Sequence, residues 1–353
     1  MLRQDQYERL AHRVGAALCG CPPRLGRPRR VAPIAQATKL LLLFAFSLFA
    51  FSPFSSALAP PHAYVTNEKS DDLSVIDTAT DHVIATVKVG QRPRGVTVAP
   101  DGKRVYVSNG NSNDVSVIDT TTNTVIDTIP AGVDPEGITI SADGTRLYVV
   151  NENAGELLVI NSASKELLAK VTVGTEPETV VLSPDGTRAY VPNETSHDVT
   201  VVDTATNKVL TSIKVGENPR GVAFTPNGKY AYVSNERSST VLVVDTATNA
   251  VRATIQMGER PVGIAVLPDG KKVYVAHGRS HDVRVIDTAT NAVLATIPLE
   301  GERAWWVALT PDAKKLYVTV GRSNMVAVID TTSDTVLKMI PVGQLPWGVA
   351  VSR

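Results

Sequence analysis

Seven copies of one phrase at a spacing of 42 or 43 residues, four short β-patterned runs in each copy, and chain ends that complement one another predict an all-β, seven-bladed propeller. The phrase begins at Tyr64 and returns at Tyr106, Tyr148, Tyr190, Tyr232, Tyr274 and Tyr317. Within one copy the β-patterned runs are Gly95 to Val98, Val105 to Ser108, Val115 to Asp119 and Val125 to Ile129. Pro100-Asp-Gly102 and Asp119-Thr-Thr-Thr-Asn123 carry turn chemistry and separate them. Four strands per 40 to 45 residues is the period of a propeller blade, whereas a parallel β-helix needs shorter coils and α/β units lack the regular hairpin turns.

The repeats open on the second strand of a blade, at Tyr64, and close on the first strand of another, Gly348 to Val351. Joined, these ends complete one blade of four strands, which hides the edges that an open array would expose. The seven repeated tyrosines are expected to pack between blades. Asp77, Asp119, Asp203, Asp245, Asp287 and Asp330 share a second register, where each carboxylate can accept from the backbone of an Asp-Thr-x-x turn. Both sets read as structural.

Residues 1–59 differ in kind from the rest. Leu40 to Phe51 is a twelve-residue apolar run, interrupted only by Ser47; Arg29, Arg30 and Lys39 precede it and Ser55-Ser-Ala-Leu-Ala59 follows. That order is a signal-peptide layout, and the run is short against the roughly 20 apolar residues of a spanning helix. Residues 60–353 are therefore expected to be an exported propeller, periplasmic or on the cell surface, with no stable membrane insertion after cleavage and acting as a monomer. Cys19 and Cys21 precede the apolar run, so the exported part lacks cysteine and with it thiol chemistry. Of 35 basic and 35 acidic residues the first 59 hold eight and two, leaving 27 against 33, a net charge of −6. A domain of that sign repels nucleic acid outside a local basic patch.

Tyr64-Val-Thr-Asn67, with Ser74-Val-Ile-Asp-Thr-Ala-Thr80 and Val89-Gly-Gln-Arg-Pro-Arg-Gly95, resembles the YVTN-family β-propeller repeat proteins of bacterial and archaeal envelopes, over about residues 64–353. The opening Tyr64 to Lys69, the run Val89 to Gly95 and the ending Leu345-Pro-Trp-Gly-Val349 are similar to propellers associated with pyrroloquinoline-quinone (PQQ)-dependent catabolism. That resemblance implies a periplasmic accessory of quinoprotein alcohol oxidation, with a quinoprotein dehydrogenase as partner; it brings no agreed catalytic residues.

Function on a repeat scaffold sits where near copies differ. Here that is the Gly-x-x-Pro-x-Gly loop entering each innermost strand. Its last variable position reads Arg94, Glu136, Glu178, Arg220, Val262, Trp305 and Trp347 around the ring, and its second reads Arg92, Asp134, Glu176, Asn218, Arg260, Arg303 and Leu345. Trp305, Trp306 and Trp347 are all the tryptophans of the chain, and closure sets Trp347 beside Arg94. Indoles next to arginines can stack a planar ligand and pair an anion. The opposing arc, Asp134, Glu136, Glu176 and Glu178, is acidic. The competing reading has the tryptophans plug the channel and the charges lie in solvent. Arg94, Glu136, Glu178, Arg220, Arg303, Trp305 and Trp347 are the expected ligand-binding residues.

His277 and His281 share a loop, with His197 in the His281 register two blades earlier, but no third ligand completes a metal set. No nucleophile elbow, phosphate-binding loop, zinc spacing or haem-attachment motif occurs, so neither a metal nor a cofactor is expected. The function expected is non-catalytic binding of a protein partner or small ligand at the channel mouth. A second reading is a lyase- or lactonase-type propeller enzyme with Glu136 or Glu178 as general base at the same mouth. A third is single-stranded nucleic-acid binding, against which the acidic charge counts.

Overall fold

The computed structural model describes residues 61–353, and the signal-peptide reading over residues 1–59, with Cys19 and Cys21, lies outside them. The described chain holds twenty-eight strands, β1 to β28 in chain order, and one short 3-10 turn at Gly321–Ser323. They form seven antiparallel four-stranded sheets, the blades of a propeller. In the second blade β4 (Pro93–Val98) is innermost, followed outward by β5 (Arg104–Asn109), β6 (Asp114–Asp119) and β7 (Thr124–Pro130). Burial follows this order: β5 reads buried on both faces after its first residue, whereas β7 is mostly exposed.

The closing blade is built from both ends of the repeat array. β28 (Pro346–Val351) is its innermost strand and pairs with β1 (His62–Asn67), with Tyr64 opposite Ala350 and Val65 opposite Val349.

The core lies between blades. Seven apolar clusters each join two neighbours, as where Tyr274, Val283 and Val285 meet Val307, Leu316 and Ile329. The repeated tyrosines are buried there, and Tyr274 Oη donates to Asp334 Oδ1 at 2.5 Å and Thr331 O at 3.0 Å in the next blade. Tyr317 Oη donates likewise to Asp81, which links the last blade to the first. Asp77 Oδ1 accepts from the N–H groups of Ala79 at 2.7 Å and Thr80 at 3.1 Å, and its counterparts repeat the turn.

One blade departs from the pattern. Its innermost strand, β12 (Val181–Leu182), is only two residues long, with a single further bridge from Pro177 to Asn193. Thr179 stands there where five blades have glycine, and Pro192 stands on the neighbouring strand where four blades have Ser or Thr. Pro192 has no N–H and no hydroxyl to hold the strand in place.

Candidate ligand site at the channel mouth

The loops that enter the innermost strands bring the variable residues to one end of the channel. The second variable position is left-handed in all seven blades: Arg92, Asp134, Glu176, Asn218, Arg260, Arg303 and Leu345 have φ between 54° and 67°. Non-glycine residues rarely adopt that conformation. It persists because the preceding blade caps the loop: Asp71 accepts from Arg92 N–H at 2.9 Å, Asn113 from Asp134 N–H at 3.0 Å and Asn324 from Leu345 N–H at 2.8 Å. His197 Nδ1 accepts from Asn218 N–H at 3.3 Å and His281 Nδ1 from Arg303 N–H at 3.1 Å. These two histidines are loop caps. His277 is buried at the register where five blades carry asparagine, and its Nδ1 lies 2.9 Å from Asp282 Oδ1.

After the proline a bulge shifts register in the inner pair, between Pro93 and Val96 for example, and the residue inside it turns towards the channel. The next position is Gly95 or Gly348 in the blades that flank the closure. A Cβ there would collide with the carbonyl oxygen of Glu136 or Arg94 on the following blade, so glycine lets the inner strands approach.

Six of the seven residues expected at the site, Arg94, Glu178, Arg220, Arg303, Trp305 and Trp347, line one cavity of about 420 Å³. Glu136 does not reach it: its side chain is fully buried beneath, paired with Arg94 and, at 3.0 Å, with Arg92. Most of these charges are drawn into ion pairs away from solvent, Arg260 being an exposed exception, and the acidic arc is not a separate surface. Arg220 Nη2 meets Glu194 at 2.8 Å and its Nε meets Glu236 at 2.6 Å, while its Nη1 pairs with Glu178. Arg94 Nη2 lies 3.2 Å from Glu68.

Glu68, Glu152, Glu194 and Glu236 form a ring that the loop comparison overlooks. Each follows the asparagine of the Tyr-Val-x-Asn phrase, and the other three blades have Gly110, Gly278 and Gly321 there. The Glu-to-Gly alternation was the available signal. Asp134, Glu136 and Glu152 bring carboxylate oxygens within 4.8 Å of one another, a spacing open to a cation, and the Arg92 guanidinium pairs with all three.

The indoles differ from expectation as well. Trp305 and Trp347 are only 5% and 4% exposed. The Arg303 guanidinium carbon stands 4.0 Å from the Trp305 ring centroid and that of Arg220 5.7 Å, while Arg94 stands 5.7 Å from Trp347. Trp306, next on its strand, turns between the last and first blades and stacks on Trp347 with centroids 5.5 Å apart. The tryptophans thus floor the mouth and hold guanidiniums by cation–π contact, and a ligand entering meets arginine before indole.

Burial and the like charges of Glu178 and Glu236, with a hydrogen bond to Glu178, raise the Glu194 carboxyl to about 8 despite Arg220. Burial acts upward most strongly on Glu178 too, but the Arg220 charge, the hydrogen bond with Glu194 and the Arg94 charge together outweigh it and hold that carboxyl below its ordinary value. Burial pushes Glu136 well above the carboxylate range against the pull of Arg94. Burial lowers Arg303, and the neighbouring Arg94, Arg322 and Arg220 lower it further, with Glu68 alone opposing.

Comparisons with known proteins agree on the fold. The profile of the YNCE-like β-propeller family matches residues 97–182, that of a seven-bladed β-propeller lactonase family residues 203–339, and that of the cytochrome D1 heme domain residues 142–262. They support a β-propeller family, and none is a PQQ-associated one. No curated protein matches the chain. Among solved structures, Kuenenia stuttgartiensis hydrazine synthase aligns with a TM-score of 0.67 at 23% identity, over 74% of this chain and 95% of that one. A functionally unknown protein from Desulfotomaculum acetoxidans DSM 771 aligns with a TM-score of 0.73 at 16% identity, over 83% and 99%. Dihydro-heme d1 dehydrogenase NirN in complex with DHE aligns with a TM-score of 0.59 at 16% identity, over 82% and 65%. At these identities the likeness is one of fold.

Proposed function

We propose that this propeller is an exported binding protein that takes a small organic anion, a carboxylate or phosphate, at the channel mouth. One observation carries the reading: Arg303 is a largely buried guanidinium with Trp305 beneath it, three arginines around it, and no ion pair among the described residues. Arg94 and Arg220, by contrast, are each matched by buried carboxylates. An unmatched cation out of bulk water is a strong anion receptor. Carboxylates woven between the other arginines break up the continuous basic track that a nucleic-acid backbone would need.

PQQ is a planar tricarboxylate, so the accessory role in quinoprotein oxidation that the repeat phrases suggest is chemically consistent with this site, and PQQ is the first probe to titrate. Tryptophan fluorescence reports binding directly, since Trp305 and Trp347 line the cavity. Arg303→Ala is expected to weaken binding at least tenfold, as charged hydrogen bonds contribute about 1.5 to 3 kcal/mol. Unchanged affinity in that variant removes the proposal. Export is tested by N-terminal sequencing from the native envelope, where a start near residue 60 is expected and an intact Met1 in the cytoplasm is the contrary result.

A second reading has its own observation. Glu178 and Glu194 line the cavity with carboxyls pushed in opposite directions, the arrangement of an acid and base pair. A lactonase- or lyase-type activity would need both, so turnover of lactone substrates that Glu178→Gln and Glu194→Gln each abolish would establish it.

A further inference from the structure

A second cavity of about 410 Å³ adjoins the first and shares Arg260, Arg303 and Arg322 with it, adding Arg279, His281 and Gly278. Among the described residues no carboxylate lines it. The reason lies in the repeat. Where four blades place a glutamate after the asparagine phrase, the two blades of this arc have Gly278 and Gly321. Where other loops place Asp134, Glu176 or Asn218, these two have Arg260 and Arg303. Acid has been removed and base added on one arc of a ring that is otherwise mixed. The glycines also make room: a Cβ on Gly278 would come within 3.1 Å of the Trp305 ring, and one on Gly321 within 3.3 Å of Arg303 Cδ. Arg279 and Arg322 reach carboxylates only outward, Glu259 at 3.0 Å and Glu302 at 3.9 Å, both on exposed side chains. Trp305 lines the first cavity, and its Nε1 is buried with no acceptor among the described residues.

We propose that the natural ligand carries two anionic groups, one received in the first cavity and the other in the adjoining arginine-lined cavity to which Arg279 belongs, with Arg260, Arg303 and Arg322 shared between them. This rests on the anion-binding reading above and adds the second subsite, and so a minimum of two acid groups, to it. Carboxylate and phosphate share the chemistry required, since both accept from forked guanidinium donors.

The test titrates the purified protein with straight-chain dicarboxylates from succinate to suberate, with the matched monocarboxylates, and with ω-phosphonocarboxylates of the same lengths. One chain length is expected to bind roughly tenfold or more tighter than its monoacid, as one further charge-assisted contact would give. A larger gain for the phosphonate assigns the second subsite to phosphate, and a larger gain for the diacid assigns it to carboxylate. Arg279→Glu, on an exposed side chain that does not line the first cavity, should abolish the gain and bring diacid and monoacid affinities together. Arg303→Ala should weaken both classes. Diacids no tighter than monoacids at every length, or a gain that survives Arg279→Glu, overturn the second subsite while leaving the first intact. Failure of both classes to bind overturns the two proposals together.

Discussion

At the scale of single residues, the mouth is decided by what each charge finds beside it. Arg220 holds three carboxylates, Glu178, Glu194 and Glu236, which is more negative charge than one guanidinium neutralises. A proton offsets part of that excess, and it resides on the Glu178 and Glu194 pair, whose upper value is about 8. The sign follows from linkage. A carboxyl near 4.3 when unfolded and near 8 when folded binds more protons in the folded state throughout that interval, so its contribution to stability is full below about pH 4 and falls as pH rises to 8. One unit is worth about 1.4 kcal/mol for a single group. Sharing with Glu178 and the pull of Arg220 reduce the total, so the expected loss between pH 6 and 9 is on the order of 1 to 3 kcal/mol. Urea unfolding at several pH values should show the decline, and Glu194→Gln should flatten it; an equal slope in the variant would assign the effect elsewhere. Anion affinity should fall over the same range, because the added charge lies at the cavity wall.

At the scale of the strand, a hydroxyl that both accepts and donates ties the inner strands of three blades to their neighbours. Thr66 Oγ1 accepts from Gly348 N–H at 2.9 Å and donates to Arg94 O at 2.6 Å, joining two blades at the base of the site. Ser234 and Thr319 do the same for Val262 and Trp347, whereas Val150, Pro192 and Ala276 cannot. Thr66→Val leaves a buried N–H unpaired, at about 1 to 3 kcal/mol. At about 2 to 4 °C per kcal/mol for domains of 150–250 residues, the melting temperature should drop by several degrees. An unchanged melt would show that the strands need no such tie. This scale also separates what is legible in the sequence from what is not. Turns demand particular residues, so Asp77 and Pro100-Asp-Gly102 announce themselves and the blades follow. Arg94, Trp305 and Trp347 are legible because they break a repeat. Glu68, Glu152, Glu194 and Glu236 pass unnoticed because they sit at the end of the most regular phrase. The short β12 goes unread although Pro192, on an interior strand, cannot donate to a ladder and marks the blade as irregular. Ion pairing across blades is legible only as far as adjacency, since Arg92 and Glu136 are 44 positions apart, one repeat plus two, while which charges meet depends on side-chain geometry.

At the scale of the whole molecule, closure makes the last strand worth more than its length. Deleting the nine residues after Gln344 removes β28, and with it the pairing of Ala63, Tyr64 and Val65 to Val351, Ala350 and Val349. Three consequences coincide. The inner edge of β1 is exposed, offering unpaired N–H and C=O groups to other chains. Val349 leaves the apolar cluster between the last and first blades, where Ala63, Val65, Tyr317 and Ile340 are buried. Trp347 leaves the floor of the mouth, which frees Trp306 from its stack and Arg94 from its ring. A large core cavity alone commonly costs about 3 to 5 kcal/mol, against a total stability of roughly 5 to 15. The truncated chain is therefore expected to aggregate or to melt far below the intact protein, and to lose anion binding. Trp347→Ala separates the parts, because it empties the floor yet keeps the strand: its melting temperature should fall less, while anion affinity falls as Arg94 loses its platform. A truncation that stays soluble and melts like the intact chain would contradict closure by β28. A Trp347→Ala variant with full anion affinity would show instead that Arg94 is placed by Glu68 and Glu136 alone.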